Sequence, residues 1–262
     1  MLIKNSLLRA LSATGLALWL CLSFAPSVPA ALSAVQEPDL KQLGEQLKSA
    51  DVAVRRTAIE AIGRRGEEAG VDLLIAALED AAQDIRSTAA LTLGQLGFDK
   101  ASPALAKLLK SSRPRDRQSA SVALGMIGGD AAREALIGML SSQSVEDRDS
   151  AVSALGRIRD AKSVEALIKM LSDPGISVRA GAAVSLGQLN DKRAVDPLIK
   201  ALGDQEVSVR TVAALSLGEL GDARAIDPLA KLLDKEKDEN VRQQIEYALK
   251  RLRETSKDPG KL

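Results

Sequence analysis

Apolar residues recur along most of this chain with a period of 31 residues. One leucine column shows the period directly: Leu74, Leu105, Leu136, Leu167, Leu198 and Leu229. A second leucine column runs from Leu78 to Leu233, and an alanine column runs from Ala58 to Ala213. Self-similarity at a period of about 20–50 residues is typical of solenoids, whose units bury their apolar faces against one another. The pattern therefore predicts six stacked units over residues 50–233.

Each unit contains two stretches with helical spacing. In the sixth unit the apolar residues of the first stretch are Val209, Ala213, Leu217 and Leu220. Those of the second stretch are Ile226, Leu229, Ala230 and Leu233. Both sets lie on one face of a helix. Between them, Gly221 is expected to end the first helix in the left-handed conformation. The equivalent residues of the other units are Gly66, Gly97, Gly128, Arg159 and Asn190. Arg159 is the departure from this rule.

Another glycine recurs inside each first helix. The members of this column are Gly63, Gly94, Gly125, Gly156, Gly187 and Gly218. Glycine in a helix interior costs about 1 kcal/mol relative to alanine. Its recurrence indicates a position where a neighbouring helix approaches closely. The chain has only four aromatic residues, so the predicted core is thin and built from Leu, Ile, Val and Ala.

The ends of the repeat array are interpreted as caps. Leu43 and Leu47 continue the two leucine columns one period earlier, so residues 31–49 are expected to form a linker and a capping helix. Residues 234–253 are expected to form a C-terminal capping helix with a polar outer face, which solenoids need for solubility. Residues 254–262 are expected to form a disordered tail. The predicted fold class is all-α: an α-solenoid of six helix pairs with half-unit caps.

The first thirty residues form a different kind of segment. A basic start precedes an uncharged apolar stretch over residues 11–25, and Val28 and Ala30 supply the small side chains of a signal-peptidase site. The stretch is shorter than the roughly 20 residues that span a bilayer. Residues 1–30 are predicted to be a cleaved signal peptide, with cleavage after Ala34 as an alternative. The mature protein is expected to be exported, periplasmic or secreted, without stable membrane insertion.

Composition removes many kinds of chemistry. The chain has no His and one Cys. Without His it lacks the commonest general base and metal ligand, and a single Cys forms neither an internal disulfide nor a Cys-based zinc site. Lys and Arg total 36 against 35 for Asp and Glu, which argues against a nucleic-acid partner. We expect no catalytic residue, no metal and no cofactor.

The repeated pattern resembles the short HEAT-like repeats of the phycobilisome-lyase (E–Z) family. Residues 206–233 (EVSVRTVAALSLGELGDARAIDPLAKLL) match best, and the resemblance covers residues 38–253. It implies a right-handed superhelix of antiparallel helix pairs, a fold that mostly serves as a protein-binding scaffold. The enzymatic branches match less well. The di-iron centre of the deoxyhypusine hydroxylases requires His, and bilin lyases act on phycobiliproteins inside the cell. The DNA glycosylases with HEAT-like helices use aromatic and basic residues, and aromatic residues are scarce here.

One arginine per unit lies near the start of the first helix. The column comprises Arg55, Arg86, Arg117, Arg148, Arg179, Arg210 and, after 32 residues, Arg242. Its fixed place predicts a structural ladder between units, rather than a site for phosphate or carboxylate ligands. The expected partners are backbone carbonyls and three aspartates that follow first helices: Asp160, Asp191 and Asp222.

Basic residues also recur in the second half of each unit. The candidate partner-binding residues are Lys107, Lys169, Lys200 and Lys231, with Lys100, Lys162, Arg193 and Arg224 two helical turns earlier. They predict a basic stripe along one face, which we expect to be the concave face. Three acidic residues precede stripe lysines by four positions and are expected to neutralise the stripe in part: Glu165, Asp196 and Asp227. A solvated face is the alternative to a binding surface.

The third and fourth units depart most from the pattern. Asp116 and Asp147 replace the Val or Ile that precedes the ladder arginine elsewhere, residues 113–115 read Arg-Pro-Arg, and Gly138 loosens a second helix. Recognition of a partner here and drift at exposed positions are both open. The whole chain is interpreted as an exported, non-catalytic HEAT-repeat scaffold that binds a protein or peptide on its concave face. The alternatives are a phycobilisome-lyase-like enzyme or accessory protein, and a structural spacer.

Overall fold

A computed structural model describes residues 38–257 of the chain. That region contains α-helices and no β-strand, which confirms the all-α solenoid class. The first helices of the six pairs, called the long helices here, are α2 (Val52–Arg65), α4 (Gln83–Leu96), α6 (Pro114–Ile127), α8 (Val145–Ile158), α10 (Ile176–Leu189) and α12 (Val207–Leu220). The second helices, called the short helices, are α3 (Val71–Ala77), α5 (Ser102–Leu108), α7 (Gly129–Met139), α9 (Val164–Met170), α11 (Val195–Ala201) and α13 (Ile226–Leu233). Single helices flank the pairs: α1 (Leu40–Gln46) and α14 (Glu239–Lys257).

The long helices end as the sequence predicts, in a residue with positive φ. The six residues are Gly66, Gly97, Gly128, Arg159, Asn190 and Gly221. Arg159 adopts a φ of 55° although it carries a side chain. A left-handed conformation costs roughly 1–2 kcal/mol for such a residue. The repeat geometry therefore imposes this turn even where the sequence does not favour it.

The glycine column inside the long helices marks close contacts between neighbouring units. A Cβ atom added to Gly94 would lie 2.7 Å from the Cα of Ala123 in the next long helix. One added to Gly218 would lie 2.9 Å from the Cα of Ala248 in α14. Such separations are shorter than two carbon atoms in contact allow. The predicted close approach of neighbouring helices is confirmed.

Buried serines face this column in the later units. Ser185 Oγ donates to the carbonyl oxygen of Val152 at 3.1 Å, and Ser216 Oγ donates to that of Ala183 at 2.8 Å. Both acceptors belong to the preceding long helix. A buried hydroxyl is tolerated when it forms a hydrogen bond, so these serines join adjacent helices without adding bulk.

The third unit has its own turn. Gly128 and Gly129 both adopt positive φ, and α7 follows with no intervening 3₁₀ turn. Arg133 in α7 takes the core position that Val164 holds in the next unit, and only 6% of its surface is exposed. Its guanidinium binds Asp130 and Asp160. A buried charge requires such partners. This cluster was not predicted, although an arginine in an aliphatic column is visible in the sequence.

The C-terminal helix is longer than expected. It continues to Lys257, whereas we expected a tail from residue 254. No Gly or Pro lies between Glu239 and Lys257, and the first proline after this segment is Pro259. The helical conformation is disfavoured only for the residue that directly precedes a proline. The predicted signal peptide, most of the linker and residues 258–262 lie outside the described residues. Within residues 38–257, no helix combines the length and the apolar composition needed to cross a membrane.

Candidate interaction surfaces

The ladder arginines connect successive loops at one edge of the helix array. Each Nη1 atom donates to backbone carbonyls near the start of its own helix. Arg210 Nη1 lies 2.9 Å from the carbonyl oxygens of Asp204 and Gln205. The Nε atom donates forward to an acid, and Arg210 Nε lies 2.7 Å from Glu236. The first six arginines share this arrangement, while Arg242 in α14 keeps the carbonyl contacts.

In four units the acid belongs to the loop before the next long helix. The pairs are Arg55–Asp80, Arg148–Asp173, Arg179–Asp204 and Arg210–Glu236. Nε and Nη2 of each arginine donate to different oxygens of one carboxylate, at 2.7–3.1 Å. Such two-pronged pairs are the strong form of the ion pair. Each carboxylate also accepts from the backbone N–H two residues further on, which fixes the loop.

In the second and third units the acid lies on the next long helix instead. Arg86 Nε lies 3.0 Å from both carboxylate oxygens of Asp116. Arg117 Nε lies 2.9 Å from both oxygens of Asp147. The Arg86–Asp116 pair is the more enclosed, with 3% and 1% of the two side chains exposed. Arg113 Nη1 adds a longer contact of 3.4 Å to Asp116.

A reciprocal change in the loop accompanies these two aspartates. Ser111 and Ser142 occupy the loop position that holds Asp80, Asp173 and Asp204 in other units. Their hydroxyls donate to Asp116 and Asp147 at 3.1 and 2.8 Å. Arg86 and Arg117 therefore each still bind one carboxylate, as the other paired ladder arginines do. The alternative of drift at exposed positions is wrong for Asp116 and Asp147, because both are buried. Recognition of a partner in this region stays a prediction. The signal in the sequence was the simultaneous change of two columns.

The aspartates expected to bind the ladder lie elsewhere, so that prediction was wrong. Asp160, Asp191 and Asp222 each accept from the backbone N–H two residues on and begin a 3₁₀ turn. Asp191 and Asp222 also bind the side chains of Arg193 and Arg224. The physical reason is distance. These aspartates follow the ends of the long helices, roughly 20 Å from the starts where the arginines lie.

The ladder keeps its loop acids ionised. Hydrogen bonds from Arg210 lower the pKa of Glu236 to about 2, against the effect of burial. Hydrogen bonds from their arginines likewise lower the pKa of Asp173 and of Asp204. Hydrogen bonding to the charged form is the dominant cause in each. These three loop acids are therefore ionised at neutral pH.

The eight residues of the predicted basic stripe lie on the short helices and the turns before them, and all are exposed. Five of them bind acids of the preceding unit: Lys100–Asp72, Lys107–Glu79, Lys162–Asp130, Arg193–Glu165 and Arg224–Asp196. The positive charge of the stripe is thus neutralised mainly by acids of the preceding unit.

The expected i,i+4 pairs within the short helices do not form. Glu165 and Asp196 bind arginines of the following unit instead. Lys169, Lys200 and Lys231 form no ion pair with any residue between 38 and 257. The exposed ion pairs of the other five stripe residues contribute little to stability. The role of the stripe in binding stays a prediction.

Grooves open between successive short helices. One of about 720 Å³ lies between α5 and α7, and one of about 620 Å³ lies between α3 and α5. A smaller groove of about 330 Å³ lies between α9 and α11. The long helices leave no such gaps at their glycine contacts. The two layers therefore differ in the spacing of their helices.

The outward face of the long helices carries a mostly apolar column that was not predicted from the sequence. Equivalent positions of α4 to α14 hold Leu91, Val122, Ser153, Val184, Leu215 and Tyr247. Leu91, Val184 and Tyr247 keep 36%, 41% and 52% of their surface exposed. The column follows the same 31-residue period as the core. It was detectable as an apolar position on the side of the helix opposite to the buried face.

A single carboxylate stands within the central part of this surface. Asp149 in α8 is partly buried and forms no hydrogen bond or ion pair with the described residues. Burial raises the pKa of this carboxyl. A Cβ atom added to Gly181 of α10 would lie 3.3 Å from Asp149 Oδ1. An unpaired, partly desolvated carboxylate favours a cation beside it.

Two layers of paired helices with a repeated polar ladder define a helical-repeat protein with extended side surfaces. The family model for HEAT repeats matches residues 40–125, 108–175 and 164–250. The chain belongs to the HEAT-repeat family. A comparison with curated proteins gave no match.

Solved structures extend the comparison. One similar chain comes from the structure of the complex of CpcE and CpcF of phycocyanin lyase from Nostoc sp. PCC7120. The two chains share 25% sequence identity, and the match covers 82% of this chain and 95% of that one with a TM-score of 0.50. It is 21% identical to the Escherichia coli protein YibA, covering 82% and 81%, with a TM-score of 0.56. An engineered protein gives 23% identity, 82% and 68% coverage and a TM-score of 0.50. The similarity to YibA and to the engineered protein shows a shared fold alone.

Proposed function

We propose that this protein is an exported, non-catalytic scaffold that holds a partner protein on the outward face of its long helices. The observation that carries the proposal is the recurrence of exposed or half-buried apolar residues at one outward position, of which Leu91, Val184 and Tyr247 are the most exposed. A face on which apolar residues gather is a candidate interaction surface. Extended faces of helical repeats bind partners through area summed over several units.

This face is the concave side in the proposal. A Cβ atom on Gly94 or Gly125 would meet the next long helix at 2.7 or 3.0 Å, whereas grooves separate the short helices. When two layers contain the same number of units, the array curves toward the layer with the closer spacing. The concave face thus remains the proposed binding surface, and the main contacts move from the basic stripe to α4–α14.

The chemistry of the face indicates the chemistry of the partner. Ladder residue Arg179 is the one charged residue of α10, so a partner meets a largely neutral surface there. Asp149 adds one unpaired carboxylate beside it. The matching segment presents apolar side chains and one lysine or arginine. The similar phycocyanin-lyase structure is itself a complex of two proteins, which supports partner binding as the use of this fold.

Site-specific photo-crosslinking in the native cell tests this proposal. A benzophenone side chain is placed at Val184 or Tyr247, and at Lys169 on the short-helix side as the control. The proposal expects one defined crosslinked protein from the first two positions, and loss of the Tyr247 crosslink in Val184→Glu and Asp149→Lys variants. A matched control, Val207→Glu, changes an equally exposed valine at the helix start. No crosslinks, or equal crosslinks from all three positions, would support the spacer instead.

Export is tested separately, on the protein purified from its native source. Cleavage of the predicted signal peptide gives a mature chain that begins at Ala31, or at Val35 if cleavage follows Ala34. N-terminal sequencing together with intact mass distinguishes these two products. An intact N-terminus on a cytoplasmic protein contradicts the export part of the proposal and leaves the scaffold part standing.

A second candidate function is that of a lyase or lyase-accessory protein. The similarity to the phycocyanin-lyase structure over most of both chains favours it. Titration of the purified protein with phycocyanobilin, followed by absorption spectroscopy, separates the two candidates. A saturable spectral change favours the lyase-like function. An unchanged spectrum favours the scaffold.

A further inference from the structure

The loop between α5 and α6 is the basic exception among the loops that precede long helices. The loop, residues 109–113, carries Lys110 and Arg113, and Arg115 follows in the first turn of α6. Residues 111–115 contain no acid. The equivalent loops of the other described units each contain at least one acid, as in residues 80–84 and 204–208. The charge of this loop is therefore a local departure within a chain that is nearly neutral overall.

These cations are poorly neutralised. Lys110 and Arg115 form no ion pair with any residue of the described range, and both are exposed. Arg113 contacts Asp116 at 3.4 Å, but that carboxylate is already bound by Arg86 at 3.0 Å. A cluster of unpaired cations raises the local concentration of anions and steers them to the surface.

Two grooves with mixed apolar and charged walls adjoin Lys110. The groove between α3 and α5 is lined by Ile75, Leu108, Lys110 and Arg113, and by Glu79 and Asp116, whose charges Lys107 and Arg86 already bind. The groove between α5 and α7 is lined by Lys110 and Gly138, and by Glu134 and Asp147, of which Asp147 is bound by Arg117. A Cβ atom added to Gly138 would meet nothing within 4 Å. Packing does not require glycine at this position, and its missing side chain keeps the second groove open.

We propose that this basic loop and its two grooves form a second binding surface, which takes an acidic polypeptide segment with interspersed apolar side chains. Carboxylates of the segment pair with Lys110, Arg113 and Arg115, since arginine forks bind carboxylates in two-pronged geometry. Apolar side chains enter the grooves on either side of α5. This surface lies on the short-helix side and does not depend on the proposed long-helix face.

A fluorescence-anisotropy titration with the full mature chain tests the proposal. The probe is a labelled peptide with four Glu-Glu-Leu repeats, and the control probe has Lys in place of Glu. The test variant is Lys110→Gln/Arg113→Gln/Arg115→Gln. The matched control, Lys169→Gln/Lys200→Gln/Lys231→Gln, removes the same charge from unpaired lysines of the stripe. Circular dichroism and the melting temperature establish that both variants fold.

The proposal expects saturable binding of the acidic probe at roughly 150 mM salt. The loop variant should bind at least about tenfold more weakly, and the control variant should change by less than about twofold. Gly138→Leu should also weaken binding without any change in charge. Absent binding, equal losses in both triple variants, or unchanged binding by Gly138→Leu overturns it. Stronger competition by single-stranded DNA than by unlabelled peptide also overturns it, in favour of a nucleic-acid site.

Discussion

Replacing Asp116 by valine is the sharpest test of the ladder. Valine fits the position, since Val178 and Val209 hold it in later units and are fully buried there. The change therefore removes a carboxylate without leaving a cavity. Arg86 remains, with 3% of its side chain exposed and with Nη1 still bound to the carbonyls of Asp80 and Ala81. Its Nε loses both of its acceptors.

The cost follows from the burial of the charge that remains. Removing one partner of a buried ion pair costs about 3–5 kcal/mol, because the other charge stays desolvated and unpaired. The enclosed geometry of Arg86 places Asp116→Val within that range. The contact of Arg113 to the same carboxylate adds little, because Arg113 is exposed. The expected loss is a large fraction of the stability of an ordinary domain.

A second substitution should restore most of this loss. Ser111→Asp places a carboxylate at the loop position from which Asp173 binds Arg148 through two bonds of 2.7 and 2.8 Å. The double variant Ser111→Asp/Asp116→Val reproduces the arrangement of the other units. We expect it to lie within about 1 kcal/mol of the wild type, which gives a strong coupling in a double-mutant cycle.

Urea unfolding followed by far-UV circular dichroism measures the four free energies of that cycle. Hydrogen exchange of the α4 and α6 amides reports the same change locally. A loss below about 1 kcal/mol in Asp116→Val would mean that the buried pair is not a stabilising element. A double variant as unstable as the single variant would refute the idea that loop and helix acids are interchangeable.

Four further substitutions test other parts of the structure. Gly94→Ala should cost about 1–3 kcal/mol by overpacking, whereas Gly138→Ala should stabilise α7 by up to about 1 kcal/mol; urea unfolding compares them. Arg159→Gly should raise the unfolding free energy by roughly 1–2 kcal/mol, because it relieves a φ of 55°. Glu236 has a pKa of about 2 when folded and 4.5 normally, so its contribution of up to about 3 kcal/mol is lost as pH falls between these values. Glu236→Gln should flatten that part of the acid-unfolding curve.

Most of the fold was predictable because the repeat shows each position six times. The Gly63-to-Gly218 column alone indicated helix contacts too close for a side chain, and the added Cβ of Gly94 shows the reason. Even Arg159, the departure from the helix-ending rule, adopts the predicted conformation. Repetition separates what the fold requires from what one unit happens to carry.

The partners of the ladder were not predictable from spacing alone. Asp160 and Asp173 both follow Arg148 within one period, and the sequence does not say which edge of the array each one reaches. The answer depends on the length of the helix between them, which places Asp173 beside Arg148 and Asp160 at the far edge. The outward apolar column was missed for a different reason. Core and surface positions share one period, so the period alone does not distinguish them.

The ladder also explains how one unit of a repetitive scaffold acquires a distinct charge. In most units the loop must supply the acid that the preceding arginine binds, as Asp204 does for Arg179. For Arg86 of the second unit, Asp116 supplies that carboxylate from the start of α6, so the loop between α5 and α6 need not supply it. Arg113 in this loop and Arg115 in the first turn of α6 are then compatible with a paired Arg86. A preformed surface needs little ordering to bind, so such a loop gains a binding property while the stack beneath it keeps its geometry.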